Sequence, residues 1–291
     1  MSKWSASRLK TYHACLLKYY YSYVNPYDPN IKVNDTLANK GLCFHETAEQ
    51  MVTGKTDQEM QDILNSKIDE YKVDRNEYPE DEALRRFMLF WKEFIEPKEK
   101  EGYKVEKEGW ANGIIEGKPF CGALDLALYK YKPDGSLEHI FIYDYKTAKT
   151  AAAASYKDQL VLYAYLIGLT QNWTFQQIKD NIELFVFFPF STQNKNNDYD
   201  NMLSSVKRVN YTAEDVEKII SNDISTIRES ESIQWDRVNI DSLGQTNFTC
   251  KFCQFLGTVP DEATGFKGCK CSYDAGYRQV RGLKFNLREQ K

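Results

Sequence analysis

Two carboxylates and one lysine are spaced in this sequence as phosphodiester chemistry would need them. Asp125 ends the segment Gly122-Ala-Leu-Asp125, and Asp144 and Lys146 follow about twenty residues later. Residues two apart on a β-strand point to the same face, so Asp144 and Lys146 share one side of a sheet. Carboxylate oxygens bind Mg²⁺ or Mn²⁺, while an ammonium can orient water and offset charge that develops on a phosphate. Taken alone, the D-x-K tripeptide is explained more simply by a surface ion pair, so it needs support from the rest of the chain.

A histidine upstream supplies a further ligand. His45 lies in the pattern G-x-x-x-H-x-x-x-E at the start of a predicted helix, and Glu49 is one helical turn away on the same side. The chain has only three histidines, and this one follows Gly41, a residue type that permits close approach. Downstream, Gln159 and Tyr163 are also four residues apart on a predicted buried helix. They either face the same pocket or serve packing alone.

The pattern of apolar residues predicts helices first and a sheet after them. Periods of three and four residues predict helices at Ser5 to Tyr23 and at about 36–53, 57–73 and 81–96. Alternating segments separated by turn sequences predict an antiparallel meander of three strands, Tyr103–Ile115, Pro119–Tyr131 and Leu137–Lys146. A buried helix, a strand, an edge strand and a capped helix follow at Ser155–Leu169, Ile182–Phe190, Leu203–Asn210 and Thr212–Ser230. We therefore expect an α/β fold whose mixed central sheet is flanked by helices.

Composition leaves several functions open and limits others. The 291 residues are 42% hydrophobic and 14% aromatic, which is sufficient for a buried core. The formal net charge is −4, so no overall positive field attracts nucleic acid, and any contact with DNA must be local. The sequence has neither an apolar run of the roughly 20 residues that a membrane-spanning helix needs nor the apolar stretch of a signal peptide. We expect a cytoplasmic protein without a membrane partner, whose seven cysteines are thiols or metal ligands rather than disulfides.

The four motifs, taken in order, resemble a known family. G-x-x-x-H-x-x-x-E, G-x-x-D, D-x-K and Q-x-x-x-Y follow one another as in the RecB-like nucleases of the PD-(D/E)XK superfamily. The resemblance implies a restriction-endonuclease-like core in which Mg²⁺ or Mn²⁺ is bound by His45, Asp125, Asp144 and the carbonyl of Tyr145. It also implies that Lys146 is the catalytic lysine, and that three further residues support the site or contact DNA: Glu49, Gln159 and Tyr163.

The cysteines near the two ends of the chain indicate a second metal centre. Cys250-Lys-Phe-Cys253 has the spacing with which two thiolates bind one metal from a tight turn, and Cys269 and Cys271 follow it. These four residues alone would make a zinc site. The chain also resembles RecB-like nucleases of the AddB and CRISPR-associated types, which bind a [4Fe-4S] cluster through one N-terminal and three C-terminal cysteines. That resemblance implies Cys15, Cys250, Cys253 and Cys269 as ligands, with Cys271 as the alternative to Cys269.

One departure from that family pattern is the position of Cys269, which comes sixteen residues after Cys253. The family usually places its last cysteine closer to the C-x-x-C, and an inserted loop from Gly257 to Gly268 would account for the difference. Iron and zinc both stay open as the bound metal, because thiolates bind either.

The sequence predicts a single nuclease domain over residues 1–291, with a mainly helical part at 1–100, a nuclease core at 103–230 and a Cys-rich extension at 231–291. The expected activity is metal-dependent hydrolysis of DNA that is single-stranded or has free ends, as an exonuclease. A helicase or recombination protein is the expected further partner, in repair, recombination, or phage or CRISPR DNA processing. Two alternatives stay open: a structure-specific endonuclease with the same residues, and a non-catalytic subunit that binds DNA ends. The expected location is the bacterial cytoplasm, or that of the host cell if a phage encodes the protein.

Overall fold

The computed structural model describes residues 3–26, 36–74, 80–148, 152–191, 204–238 and 243. The chain divides into two compact units, one formed by Met1–Asn34 with Asp223–Lys291 and the other by Asp35–Asn222. The four motifs singled out in the sequence all lie in the larger unit. The single-domain organisation stays a prediction.

The helices of the described chain match most of the predicted helical segments. They are α1 (Ala6–Ala14), α2 (Leu16–Tyr19), α3 (Thr36–Glu49), α4 (Asp57–Tyr71), α5 (Glu80–Phe90), α6 (Glu96–Lys100), α7 (Lys157–Thr170), α8 (Phe175–Asn181) and α9 (Ala213–Ser232). A π-helical turn, Trp91–Ile95, joins α5 to α6. The apolar period does not predict α8, because seven residues give too short a pattern. The sequence feature that marks α8 is the capping box at its N-terminus, formed by Thr174 and Gln177.

A mixed sheet of five strands forms the centre of the larger unit. Its strands are β1 (Lys104–Ile115), β2 (Lys118–Tyr131), β3 (Leu137–Tyr145), β4 (Ile182–Phe187) and β5 (Val206–Val209), in the order β1-β2-β3-β4-β5. The pairs β1–β2, β2–β3 and β4–β5 are antiparallel, and β3–β4 is parallel. The predicted meander of three strands is therefore confirmed, as is the mixed sheet. The β3–β4 pair is parallel because α7 and α8, which connect the two strands, return the chain to the edge of the sheet at which β3 begins.

An aromatic core joins the sheet to α3 and α5. The rings of Phe90 and Phe187 stack with their centroids 4.6 Å apart, and Phe87 lies beside both. Phe44 of α3 contacts the rings of Phe87 and Tyr145 edge to face. Since Phe44 precedes the motif histidine and Tyr145 lies inside the D-x-K motif, this packing fixes the position of both motifs.

In the described part of the smaller unit, Tyr19 lies at the centre, with its side chain almost fully buried. Its ring contacts the aromatic rings of Trp4, Tyr12, Tyr23 and Trp235. Its hydroxyl oxygen lies 2.9 Å from Ser230 Oγ. This tyrosine is therefore a core residue of the unit.

The predicted helix from Ser5 to Tyr23 is interrupted at Cys15. Ser5 caps α1 as expected, since its side chain accepts a hydrogen bond from the N–H of Arg8. Cys15 then adopts an extended backbone, φ −167° and ψ 112°, between α1 and α2. The prediction of one continuous helix was therefore wrong. The break left no sign in the sequence because backbone hydrogen bonding continues across Cys15, which donates to Thr11 and accepts from Tyr19, so the apolar period is preserved.

None of the helices in the described ranges combines the length and the apolar character that crossing a membrane would require.

Candidate active site

The site forms where β2 and β3 separate. The antiparallel ladder between them ends at the pair Leu126 and Tyr143, so Asp125 and Asp144 are the next residues on the two strands. Beyond this pair, a side chain of β2 bonds to the backbone of β3. The backbone N–H of Tyr145 donates a hydrogen bond of 2.5 Å to Asp125 Oδ2. The two predicted carboxylates are thus brought together by the sheet itself.

His45, Glu108 and Asp125 form a cluster that could hold a metal ion. One ligand atom from each lies within 4.8 Å of the others. His45 Nδ1 is 3.3 Å from Asp125 Oδ1, which links α3 to β2. Imidazole nitrogen and carboxylate oxygen together suit Mn²⁺ and related divalent cations.

Glu108 is the residue of this cluster that the sequence patterns do not identify. It lies across from Asp125, between the ladder pairs Lys107–Leu126 and Gly109–Leu124, but is itself absent from the ladder. Its backbone has φ 50°, the left-handed region that residues other than glycine seldom adopt. Such strained residues concentrate at functional sites. Nothing in the run of alternating polar residues on β1 distinguishes Glu108 from its neighbours.

Asp144 and Lys146 lie beside the cluster, in contact with α7. Asp144 is 3% exposed, and its Oδ1 accepts a hydrogen bond of 3.1 Å from Gln159 Nε2. The same amide nitrogen lies 3.0 Å from the hydroxyl oxygen of Tyr163. Lys146 Nζ is 2.6 Å from Asp144 Oδ2. Gln159 and Tyr163 therefore do face the pocket of the D-x-K motif.

The charges of the site act on one another. Burial raises the pKa of Asp144 to about 6 against the opposing charge of Lys146, and the negative charge of Asp125 adds to the rise. Burial also raises the pKa of Glu108, again with help from Asp125. Burial lowers the pKa of His45, but the hydrogen bond to Asp125 and the charge of that carboxylate outweigh it, so the net direction is upward. Three carboxylates held this close favour a cation among them.

The donor set fits a divalent metal ion. Asp144 Oδ2 is buried, and Lys146 contacts it as an ion-pair partner. Asp125, Glu108 and His45 offer further oxygen and nitrogen ligands within reach of one another. Hard oxygen donors around one point are the environment that Mg²⁺ and Mn²⁺ require. Of the metal-binding residues expected from the sequence, His45 and Asp125 lie in this cluster, and the roles of Asp144 and the Tyr145 carbonyl stay predictions.

Other predicted residues take different places. Glu49 is exposed, and the cluster around His45 contains Glu108 rather than Glu49. The backbone oxygen of Glu49 accepts a hydrogen bond from Lys107 Nζ. Tyr145 is buried in the aromatic core, and the coordinating role of its carbonyl stays a prediction.

Cys15 is a buried free thiol, whereas the other predicted ligands of the iron-sulfur or zinc centre lie outside the described residues: Cys250, Cys253, Cys269 and Cys271.

The first position of the G-x-x-D motif, Gly122, requires glycine for a steric reason. A methyl group on Gly122 would lie 2.2 Å from Cε1 of Tyr163, a buried ring that cannot easily move. Gly122→Ala is therefore expected to cost about 1–3 kcal/mol of folding stability and to displace Tyr163, and with it Gln159, from the site. Thermal melts and cleavage rates would measure both effects.

Gly41 provides the matched control for that substitution. A methyl group there would lie 3.8 Å from Thr147 Oγ1, which is an ordinary contact. The close approach expected at Gly41 is thus not a requirement for glycine, and Gly41→Ala is expected to melt close to the parent protein. Equal melting temperatures for Gly122→Ala and Gly41→Ala would contradict the steric account.

The fold and the site together define a class. A mixed sheet flanked by helices, with two carboxylates and a lysine at the point where two strands separate, is the arrangement of restriction-endonuclease-like, metal-dependent nucleases. The family model described as the PD-(D/E)XK nuclease superfamily matches residues 3–257 of the chain. The protein belongs to this superfamily. A comparison with curated proteins gave no match.

Proposed function

We propose that the protein is a metal-dependent nuclease that hydrolyses phosphodiester bonds of single-stranded DNA from a free end. The observation that carries this proposal is the pair of contacts at the point where β2 and β3 separate, His45 with Asp125 and Asp144 with the ammonium of Lys146. The setting that fits such an activity is recombination, repair, or phage or CRISPR DNA processing, in the bacterial or host cytoplasm. A helicase or recombination protein would supply the strand.

The proposed roles follow from the chemistry of each side chain. His45, Asp125, Asp144 and the carbonyl of Tyr145 would hold Mg²⁺ or Mn²⁺, with Glu108 as an additional ligand. When bound, such an ion polarises the scissile phosphate and helps to activate water. Lys146 would orient the attacking water and offset negative charge in the transition state.

Residues of α7 would hold the site in shape. Gln159 donates to Asp144 Oδ1, so it leaves Oδ2 facing Lys146 and the metal position. Tyr163 lies within hydrogen-bonding distance of Gln159 and fixes the orientation of its amide. These contacts support a positioning role for both residues, while Glu49 remains a candidate for contact with DNA at the exposed end of α3.

Glu108→Gln tests the additional ligand. The substitution removes one anionic ligand but keeps the shape of the side chain, so Mn²⁺ affinity is expected to fall about tenfold. Glu106→Gln, two residues away on the same strand and exposed, should leave the affinity unchanged. Isothermal titration with Mn²⁺ measures this without reference to cleavage. Equal affinities for the two variants would remove Glu108 from the site.

A second metal centre is part of the proposal. Cys15, Cys250, Cys253 and Cys269, or Cys271 in place of Cys269, would bind a [4Fe-4S] cluster, with Zn²⁺ as the alternative. Cys15 is buried where α1 meets α2, so it is not a surface thiol. Iron and zinc analysis of anaerobically purified protein separates the two metals. The absence of both from a folded protein would end this part of the proposal.

Linear and circular substrates test the exonuclease. The proposed enzyme shortens linear single strands and leaves a covalently closed single-stranded circle intact. Cleavage of the circle would make the protein an endonuclease with the same site. Binding of ends without cleavage in Mg²⁺ or Mn²⁺ would identify a non-catalytic subunit instead.

A further inference from the structure

Two large apolar side chains stand exposed on β1, beside the candidate active site. Trp110 is 64% exposed and Ile114 is 69% exposed. Their ladder partners on β2 are Ala123 and Pro119. Large apolar side chains exposed together on one strand form a candidate binding surface.

The two sides of the β1–β2 hairpin differ in what covers them. Ala111 and Ile115, which alternate with the exposed pair, are 2% and 4% exposed. Added methyl groups at Gly113 and Gly122 would meet side chains of α7, so this helix covers the buried side. Within the described part of the chain, Trp110 and Ile114 remain open on the other side.

The exposed pair begins next to the metal cluster along both strands. Glu108 is two residues from Trp110 on β1, and Asp125 is two residues from Ala123, the ladder partner of Trp110, on β2. Two residues of a strand span about 6.6 Å. A phosphate bound at the cluster would therefore have its own or the adjoining base within reach of the Trp110 ring.

We propose that Trp110, extended by Ile114, is the surface on which an unpaired base of the DNA substrate stacks next to the cleaved phosphate. The inference rests on the proposed function and names the residue that makes the site select single strands. In a duplex, each base face is already covered by its neighbours, so only an unpaired or unstacked base can use the ring. With a net charge of −4, the protein has little general attraction for DNA, and stacking becomes a larger share of the affinity.

The tyrosines near the N-terminus are less suited to this role. Tyr19 and Tyr21 are 1% and 3% exposed, so their ring faces are occupied by protein. Trp110 offers an accessible ring of the size that bases stack on best, and it lies on the same strand as a residue of the cluster.

The test is a binding measurement in a protein that does not cleave. In a Lys146→Ala background with Mg²⁺, Trp110→Ala is expected to weaken binding of a labelled single-stranded oligonucleotide about tenfold, which corresponds to ~1.4 kcal/mol. Trp110→Phe should recover most of the affinity, because an aromatic face is retained. Tyr131→Ala is the matched control, since Tyr131 is 45% exposed at the far end of β2 and should leave binding unchanged. A blunt duplex should bind all of these proteins equally.

The outcomes separate this inference from the proposed function. In the cleaving protein, Trp110→Ala should raise KM for single strands while kcat is retained. Unchanged oligonucleotide binding by Trp110→Ala, in a protein that still cleaves DNA, overturns the stacking role alone. Equal weakening of single-strand and duplex binding also overturns it, as does a change of oligomeric state on gel filtration, which would make this face a contact between protein copies. A parent protein that neither binds nor cleaves DNA overturns both.

Discussion

Lys146→Ala is expected to lower the rate of DNA cleavage by at least about 10²–10³-fold, the usual effect of removing one preorganised charge from a transition state. Lys146 is the ammonium nearest to Asp144, with Nζ 2.6 Å from Oδ2, and its side chain is 23% exposed. The substitution should leave the circular dichroism spectrum of the folded protein unchanged. Cleavage of an end-labelled single strand under single-turnover conditions measures the loss.

Lys67→Ala is a matched control for that substitution. The side chain of Lys67 is 24% exposed and forms ion pairs with Glu46 and Glu70, neither of which belongs to the metal cluster. Its loss should leave cleavage within about twofold of the parent, because surface ion pairs contribute little. If both lysine variants lose activity to the same extent, charge in general, and not this ammonium, is responsible.

Asp144→Asn is expected to abolish cleavage and, in EDTA, to make the protein more stable. Burial raises the pKa of this carboxyl from 3.8 to about 6, which corresponds to roughly 3 kcal/mol against the charged form in the folded state. Asparagine resembles the neutral acid and can still accept the hydrogen bond from Gln159, while Lys146 can reach water. We therefore expect a gain on the order of 1–3 kcal/mol, seen as a rise of several degrees in Tm.

The stability gained by Asp144→Asn is expected to depend on pH. Because the folded pKa of Asp144 is raised, its charge destabilises the folded state at neutral pH, and this penalty shrinks as the pH falls from about 6 and is gone below the ordinary carboxyl pKa of 3.8. The difference in Tm between Asp144→Asn and the parent should therefore be largest above pH 6 and shrink below it. Asp180→Asn, an exposed carboxylate that accepts from Gln176, should show no such difference. A lower Tm for Asp144→Asn at neutral pH would contradict the account of its burial.

Much of the sheet could be predicted because its strands are long and separated by clear turns. The three strands of the meander begin and end within one residue of their predicted limits, and their pairing brings Asp125 beside Asp144. The D-x-K spacing puts Asp144 and Lys146 on one face whatever the details of packing. His45 joins them because Phe44, next to it on α3, packs against Tyr145.

Glu108 and Trp110 lay beyond sequence reasoning for physical reasons. A left-handed backbone in the middle of a strand has no sign in a run of alternating residues, so Glu108 could not be told from Glu106. Within the described ranges, α7 packs on the other side of the hairpin and Trp110 is exposed, a placement that the strand pattern does not reveal. The break at Cys15 was hidden because hydrogen bonds and apolar period continue through it.

The most direct test is cleavage of end-labelled single-stranded DNA by the anaerobically purified parent protein in Mg²⁺, in Mn²⁺ and in EDTA. Degradation in either metal and none in EDTA is the predicted result, because Asp125 and Asp144 would hold the cation that polarises the phosphate. Cleavage that persists undiminished in EDTA, or its absence in both metals from a folded protein, would contradict the proposed function.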